Sequence, residues 1–196
     1  MSDNPKIYTK QGDGGNTSLF MGGVVSKSHL RIETCGSLDN AVSAIGLARS
    51  LSQNSEITTL LLDLQHDLFT ISAEVSSVED LKHHKTRILT IDESHVIKLE
   101  KKMDEFRNEI DISREFVLPG GSPGSAAIDL SRALVRSSER KIVEFNESGE
   151  LKNQQIIKYI NRLSDLLFVM ARLEDKLNDF KEVTTSNSKR KKIIEK

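Results

Sequence analysis

The chain of 196 residues has no tryptophan, only three prolines and few aromatic side chains. A β-sandwich draws on such residues for its core and turns, so this composition argues against one. The chain also has a single cysteine, Cys35, which excludes an internal disulfide. One unpaired thiol is typical of a protein from a reducing compartment.

Net charge and long apolar runs are equally limited. The formal net charge of −1 provides no overall electrostatic footprint for nucleic acid. No stretch approaches the roughly 18 consecutive apolar residues of a membrane-spanning helix. The first residues, MSDNPK, show neither an Arg-rich amphipathic pattern nor an apolar signal region. We therefore expect a cytoplasmic protein with no membrane and no nucleic-acid partner.

Glycine is scarce as well, with 11 residues in the chain, yet several of them lie together near its start. Residues 9–17 read TKQGDGGNT. Glycines let backbone N–H groups converge on an anion without obstruction by Cβ, Thr17 and Ser18 supply hydroxyl groups, and Lys10 and Lys27 supply positive charge. The lysine and hydroxyl that end a Walker P-loop are missing. A turn-rich arm and a phosphate cradle both remain open on these residues alone.

After residue 26 the apolar residues recur with helical spacing. Five helices are predicted: about 30–51, 57–75, a third whose apolar face runs from 96 to 110, 123–146 and 152–178. Thr90 or Asp92 is expected to cap the third helix, and Ser122 followed by Pro123 to begin the fourth. Short connections favour antiparallel packing of neighbouring helices. The fold class predicted is all-α, a five-helix bundle with an N-terminal glycine-containing arm.

We interpret residues 1–183 as a single domain, with the arm at 1–26 and the bundle at about 27–180. Residues 184–196 are polar and end in a basic run, which predicts a disordered tail. A nuclear-import signal is the alternative interpretation of that run.

The last two predicted helices each carry a stripe of charged residues. Between residues 132 and 172 arginines outnumber lysines five to three, although lysine is the commoner residue in the chain. Arginine is suited to bidentate binding of phosphate or carboxylate. An anion-binding surface and an ordinary solvent-facing stripe both fit. The stripes comprise Asp129, Arg132, Arg136, Glu139 and Arg140 on the fourth helix, and Asn161, Asp165, Phe168 and Arg172 on the fifth.

The chain offers no side-chain cluster typical of hydrolytic or metal catalysis. His29, His66 and His95 are isolated, and the neighbours His83 and His84 lack the i, i+4 spacing of a helical zinc pair. No nucleophile-elbow sequence supports a Ser-His-Asp triad. The lone cysteine is interpreted as a buried small residue. We expect no metal site built from a protein side-chain cluster.

Four separated segments agree in order and spacing with one family, from about residue 6 to residue 178. They are YTKQGDGGNTSL at 8–19, the region 27–46 with Gly36 and Asp39, FVLPGG at 116–121, and RALVRSSER at 132–140 together with YINRLSD at 159–165. On these segments the chain resembles the PduO-type ATP:cob(I)alamin adenosyltransferases.

The resemblance implies a homotrimer of five-helix bundles with each active site between two subunits. It implies an enzyme, a transferase that moves the 5′-deoxyadenosyl group of ATP to cob(I)alamin and releases triphosphate. ATP would arrive with Mg²⁺, and cobalamin would be a substrate. A flavin-dependent reductase and an adenosylcobalamin-dependent acceptor enzyme are the partners that this chemistry implies.

The resemblance also assigns roles by position. Arg136, Lys27 and Phe116 are the expected catalytic residues; the two cations hold the triphosphate and the phenyl ring faces the lower side of the corrin. Asp39 and Arg132 are expected to form a salt bridge across the subunit interface. The expected ATP-binding residues are Thr9, Lys10, Gln11, Gly12, Asn16, Thr17, Ser18, Lys27, Arg136, Glu139, Arg140 and Asn161.

Three positions depart from the family pattern. Asn40 stands where a glutamate is usual, Ser137 where a second arginine is usual, and Gly14 where a lysine is often found. Each change removes one charge near the expected site. A non-catalytic helical-bundle relative that binds nucleotide or corrinoid is therefore the alternative, and a plain helical interaction protein is a third hypothesis. Because the other site residues remain, we favour an active enzyme.

Overall fold

The computed structural model describes residues 7–78, 88–112, 115–181 and 183–185. Within these ranges lie five helices and four short strands. The helices are α1 (Leu30–Leu51), α2 (Ser55–Ser76), α3 (Glu93–Arg107), α4 (Pro123–Glu147) and α5 (Gln155–Leu177), and the strands are β1 (Asn16–Ser18), β2 (Val24–Ser26), β3 (Val117–Leu118) and β4 (Val183–Thr184). The predicted all-α fold with five helices is confirmed.

Side-chain caps account for where α2, α3 and α4 begin. Asn54 Oδ1 accepts a hydrogen bond from the backbone N–H of Ile57 at 3.0 Å and starts α2. Asp92, rather than Thr90, caps α3, and hydrogen bonds from Ser94 and His95 lower the pKa of its carboxyl group to about 2. Each cap satisfies N–H groups that have no partner within the first turn.

The start of α4 agrees with the sequence prediction. Ser122 accepts from the N–H of Ser125 at 3.0 Å, and the Ser125 hydroxyl closes a reciprocal capping box. Pro123 stands in the first turn, where a missing N–H costs nothing. This cap is almost completely buried, with Ser122 3% exposed, so it also joins α4 to the structure around it.

The core lies between the helices. α4 packs against α1 and α5, α1 also packs against α2, and α3 packs against α5. Apolar side chains at helical spacing fill the interior, and Tyr159, Phe106 and Phe145 are the largest fully buried ones. Where α1 packs against α2, Gly46 leaves room for the Gln65 side chain, because a Cβ there would lie 3.0 Å from Nε2 of Gln65. No helix among the residues described has the length and apolarity needed to cross a membrane.

The glycine-containing arm forms a two-stranded antiparallel hairpin rather than an irregular segment. Thr17 is paired with Val25 at the middle of β1 and β2. Gly22 and Gly23 take φ values of 106° and 93° in the connecting turn, a region that favours glycine. A parallel bridge between Phe20 and Ser77 attaches this hairpin to the end of α2.

One buried arginine joins the first two helices to the connection between α4 and α5. Arg31 is 4% exposed, and its Nη1 donates to the carbonyl oxygens of Val75 and Ser77 at 2.5 and 2.6 Å. Its Nη2 donates to Glu150 at 2.7 Å, and the guanidinium lies over the ring of Phe145. The α2 carbonyls that lack helical partners are satisfied in this way.

The chain after α5 returns to the segment before α4. β3 and β4 pair antiparallel, with Val117 opposite Thr184. Thr184 is buried and belongs to β4, because its backbone pairs with β3. The sequence had instead predicted that the disordered tail begins at this residue. Residues 186–196 of the predicted tail, and His83 and His84 of the predicted loop, lie outside the described residues.

Candidate active site

The arm encloses a cavity of about 430 Å³, here called the arm cavity. Tight turns shape one wall, because the N–H groups of Asp13 and Gly15 donate to the carbonyls of Lys10 and Gly12 at 3.3 and 3.2 Å. Apart from Val24, every lining residue belongs to the set that the family resemblance assigned to ATP. The lining consists of Thr9, Gln11, Gly12, Asn16, Thr17, Ser18 and Val24.

Lys27 lies beside this cavity because it follows β2 directly. Its backbone N–H donates to the carbonyl of Gly15 at 2.8 Å. Its side chain extends over Gly12, where an added Cβ would lie 2.9 Å from Lys27 Nζ. The ammonium group therefore lies beside Gly12, one of the residues that line the arm cavity, and a side chain at position 12 would displace it. Lys10 is exposed, with a φ of 61°.

The second part of the predicted site lies on the bundle. Arg132 and Arg136, one turn apart on α4, line a cavity of about 510 Å³ between α3, α4 and α5, here called the arginine cavity. Phe168 and Asp165 of α5 complete much of its wall. The arm cavity and the arginine cavity share no lining residue.

Further along α4 the stripe continues as a shallow cavity of about 380 Å³. Arg136, Glu139 and Arg140 line it together with three residues of the next turns. The i, i+3 and i, i+4 spacing of these side chains brings them to one helix face. Arg136 contributes to both neighbouring cavities, so a polyanion along this face would meet guanidinium groups, but three glutamates also line the shallow cavity.

A polar network connects this face to α5. Asn161 donates from Nδ2 to Glu139 Oε1 at 2.9 Å, which fixes the amide orientation. Arg162 then donates to Asn161 Oδ1 at 2.8 Å and to Glu100 on α3 at 2.8 Å. The sequence assignment included the first two residues but missed Arg162 and Glu100. Arg162 lies inside the YINRLSD segment, and its place in that segment could have identified it from the sequence.

Two members of the predicted stripes, Arg172 and Asp129, point inward. Arg172 is 3% exposed and forms ion pairs with Asp129 at 2.5 Å and with Asp175 at 3.4 Å; we call these three residues the buried triad. Arg172 therefore does not belong to an exposed anion-binding surface, and Asp129 is not a surface carboxylate. Both point inward because the two stripes face each other where α4 packs against α5.

Arg132 is the surface neighbour of this triad. Its Nε lies 3.3 Å from Oδ1 of Asp129 within the same chain. Asp39, the expected partner of Arg132 across a subunit interface, is exposed on α1. A single chain does not test that salt bridge, which stays a prediction.

Phe116 presents an apolar ring to solvent at a fixed place. It is 84% exposed, although it directly precedes β3. The backbone N–H of Thr185 donates to the carbonyl oxygen of Phe116 at 3.0 Å. An exposed ring on a tethered backbone suits contact with an apolar ligand surface.

Cys35, the lone thiol, is partly buried. Burial raises the pKa of the Cys35 thiol, which keeps it protonated and unsuited to nucleophilic attack. Across the residues that the structure describes, no group of three or more His, Cys, Asp or Glu side chains is arranged to hold a metal ion.

Comparison with known proteins adds independent evidence. A family model described as cobalamin adenosyltransferase matches residues 7–174. The corrinoid adenosyltransferase PduO of Salmonella typhimurium strain LT2 is 37% identical over 169 residues, which are 86% of this chain and 49% of that protein. The corrinoid adenosyltransferase of Bacillus subtilis strain 168 is 35% identical over 172 residues, 86% of each chain. The chain thus spans about half the length of the PduO relative.

Solved structures agree with these matches. A variant of the PduO-type ATP:corrinoid adenosyltransferase from Lactobacillus reuteri, complexed with cobalamin and ATP, superposes with a TM-score of 0.85 at 29% identity, covering 93% of this chain and all of that one (100%). Another variant of that protein, complexed with ATP, superposes with a TM-score of 0.81 at 30% identity, covering 91% of this chain and 99% of that one.

Proposed function

The chain belongs to the cobalamin adenosyltransferase family, and we propose that it transfers the 5′-deoxyadenosyl group of ATP to cob(I)alamin. The family match over residues 7–174 supports this proposal. The observation that carries it is the division of the predicted ATP-binding residues between an arm with hydroxyl groups and a helix face with arginines.

The reaction balances without a protein nucleophile or base. The electron pair of Co(I) forms the bond to C5′ of ATP, the C5′–O bond breaks, and triphosphate leaves with that bond's electrons. Cobalt ends as alkylated Co(III). The protein has to align two ligands and stabilise a polyanionic leaving group. A reaction of this kind needs no nucleophilic thiol, which is consistent with the raised pKa of Cys35. It also needs no histidine base, and no histidine was assigned to the site.

Lys27 and Arg136 are the cations that we assign to the triphosphate. Lys27 is adjacent to the glycine turn of the arm cavity, and Arg136 lines two adjoining cavities on α4. Mg²⁺ would enter with ATP, because this ion is commonly held by substrate phosphates and water rather than by an all-protein cage. Glu139, Arg140 and Asn161 would complete the nucleotide site.

We propose a homotrimer in which the arm cavity of one subunit meets the arginine cavity of the next. Each cavity holds part of the predicted ATP set, and neither provides both the arm hydroxyls and the arginines. The Asp39–Arg132 salt bridge would form at that interface.

Phe116 is the residue that we assign to the lower face of the corrin. An apolar ring beneath cobalt would keep axial ligands away and so favour the Co(I) state that attacks ATP. Its exposure in the single chain leaves the ring available to such a ligand.

The reaction also implies partners. Cob(I)alamin has to be supplied by a reducing reaction, for which we propose a flavin-dependent reductase, and the product would pass to an adenosylcobalamin-dependent acceptor enzyme. The single unpaired cysteine supports a cytoplasmic location.

The decisive experiment is turnover of chemically reduced cobalamin with MgATP, followed by the appearance of adenosylcobalamin and triphosphate. Arg136→Ala should lower the rate at least about 100-fold, since several charge-assisted contacts to phosphate are lost. Arg49→Ala on the exposed side of α1 is the matched control. The proposal is wrong if the wild-type protein forms no product and binds neither ligand.

Combined with calorimetry, the turnover assay distinguishes the proposed enzyme from the non-catalytic alternative, which the departures at Asn40 and Ser137 suggest. Tight MgATP binding by calorimetry without turnover under reducing conditions would support a carrier or regulator instead. Unchanged thermal stability on addition of MgATP would support the plain interaction protein, because a ligand that binds the folded state stabilises it.

A further inference from the structure

The buried triad of Asp129, Arg172 and Asp175 places two carboxylates and one guanidinium away from water. Each of the three residues is 3% exposed. Burying charge is costly, and apolar side chains of similar volume are often the more stable solution. Apolar side chains at these positions would not bind the polar groups that the triad holds in place.

One of those groups belongs to the segment 116–122, here called the Phe116 segment. Oδ1 of Asp175 accepts a hydrogen bond from the backbone N–H of Ser122 at 2.8 Å. Gly121 lies directly on the same carboxylate, since an added Cβ would be 2.2 Å from Oδ1. Gly120 turns the chain with a φ of 110° just before this contact. The carboxylate thus holds the C-terminal end of the Phe116 segment.

The other end of the segment is held independently. Val117 and Leu118 pair with β4, and Thr185 donates to the carbonyl of Phe116 at 3.0 Å. The backbone of Phe116 is thus held directly by Thr185 and by the adjoining strand pair, and Asp175 holds the far end of the same segment at Ser122.

The triad also reaches the arginine cavity. Asp129 accepts from Arg132, which lines that cavity, at 3.3 Å. The guanidinium of Arg172 lies 5.5 Å from the ring centroid of Phe168, another lining residue. One buried cluster therefore touches the wall of the arginine cavity and the backbone that carries Phe116.

We propose that Asp175, oriented by Arg172, is a positioning residue for the transfer reaction. It sets the position of Phe116 relative to the arginine cavity, so that the corrin and the triphosphate are held at a fixed separation. Small displacements of reacting groups lower rates strongly, even when each ligand still binds. This inference rests on the proposed function.

The test is a double-mutant cycle between Asp175→Asn and Phe116→Ala in the full chain. Asn keeps the shape and an acceptor oxygen but removes the charge that pairs with Arg172. We expect Asp175→Asn to lower kcat about tenfold, as for a lost charge-assisted contact, with the Kd of MgATP unchanged. In the Phe116→Ala background the same change should have little further effect, because its action passes through the ring.

Asp179→Asn is the matched control, an exposed residue four positions later with a φ of 57° that asparagine tolerates. A second readout is the electron paramagnetic resonance spectrum of cob(II)alamin bound with MgATP. Nitrogen splitting from a lower axial base should be weak in the wild-type and control proteins and stronger in Asp175→Asn.

An equal loss of kcat in both backgrounds, or a weakening of ATP binding as large as the kcat effect, would overturn the inference. Gly121→Ala disturbs the same contact from the loop side and repeats the cycle if Asp175→Asn does not fold. If neither Asp175→Asn nor Gly121→Ala folds, the inference is also overturned, because the contact would then be needed for folding. Absence of turnover in the wild-type protein would instead contradict the proposed function, and the spectrum would still report the position of Phe116.

Discussion

The arm and the bundle place the groups predicted to bind ligands by opposite means. In residues 7–28 only Leu19 is buried, and the predicted binding groups lie on a hairpin whose turns depend on glycine. In the bundle the corresponding groups are long cationic side chains on α4, supported by a continuous apolar core and by buried charges. The arm's shape comes from local backbone conformation, whereas that of the arginine face comes from tertiary packing.

This contrast predicts how substitutions act. A change in the arm should alter ligand binding with little effect on folding, because few buried contacts depend on the arm. A change among the buried charges should lower stability, because it leaves partners unsatisfied in the interior. The three predictions below test that division.

The largest effect is expected for Arg31→Met, at the junction of the two regions. The change removes donors from two buried carbonyls and from Glu150. We expect the free energy of unfolding to fall by about 3 kcal/mol, because a buried charged group is lost while its partners remain. Urea unfolding at one fixed protein concentration measures this. Arg49→Met, exposed on the same helix, is the control, and an equal effect of both changes would contradict the prediction.

An intermediate effect is expected for Gly12→Ala in the arm. The added methyl group displaces the side chain of Lys27, whose Nζ would lie 2.9 Å from it. We expect the Kd of MgATP to rise about tenfold, the equivalent of one weakened charge-assisted contact, with no change in the thermal stability of the ligand-free protein. Gly14→Ala serves as the control, since nothing lies within 4 Å of a Cβ there. A loss of ligand-free stability would show that the arm supports the fold after all.

The smallest effect is expected for Ser137→Arg, which restores a cation next to Arg136. Ser137 is partly exposed on α4, so a longer side chain can extend to solvent. We expect MgATP to bind a few-fold more tightly at low salt and the gain to shrink as salt screens the added charge. Titrations at two ionic strengths measure it. Ser137→Gln is the uncharged control, and a gain of equal size in that variant would exclude an electrostatic cause.

Most helix boundaries were predictable because they depend on local signals. Ser122 and Pro123 begin α4 as expected, and the apolar period of residues 57–75 agrees with α2 to within two residues at its start and one at its end. Asp92 was one of two expected caps, and the structure selects it because its carboxylate reaches the N–H groups of Ser94 and His95.

The candidate site was predictable in part. The arm cavity is lined almost entirely by residues of the YTKQGDGGNTSL segment, and their spacing in sequence keeps them close in space. Arg162 and Glu100 were missed because their hydrogen bonds join two helices that are far apart in sequence. Both interpretations left open for the stripe, an anion-binding surface and a solvent-facing one, fail at Arg172, which is buried. Helical periodicity defines a face but not what packs against it.

By itself the sequence determined the number of helices, the cap of α4, the concentration of glycine in the arm and the family, because these depend on residue type and on spacing along the chain. Only the tertiary structure decided which charges are buried, that Asp175 holds the segment bearing Phe116, and that the arm is tied to the end of α2. Those outcomes depend on contacts between distant parts of the chain, which come together when the apolar faces of the helices are buried against one another.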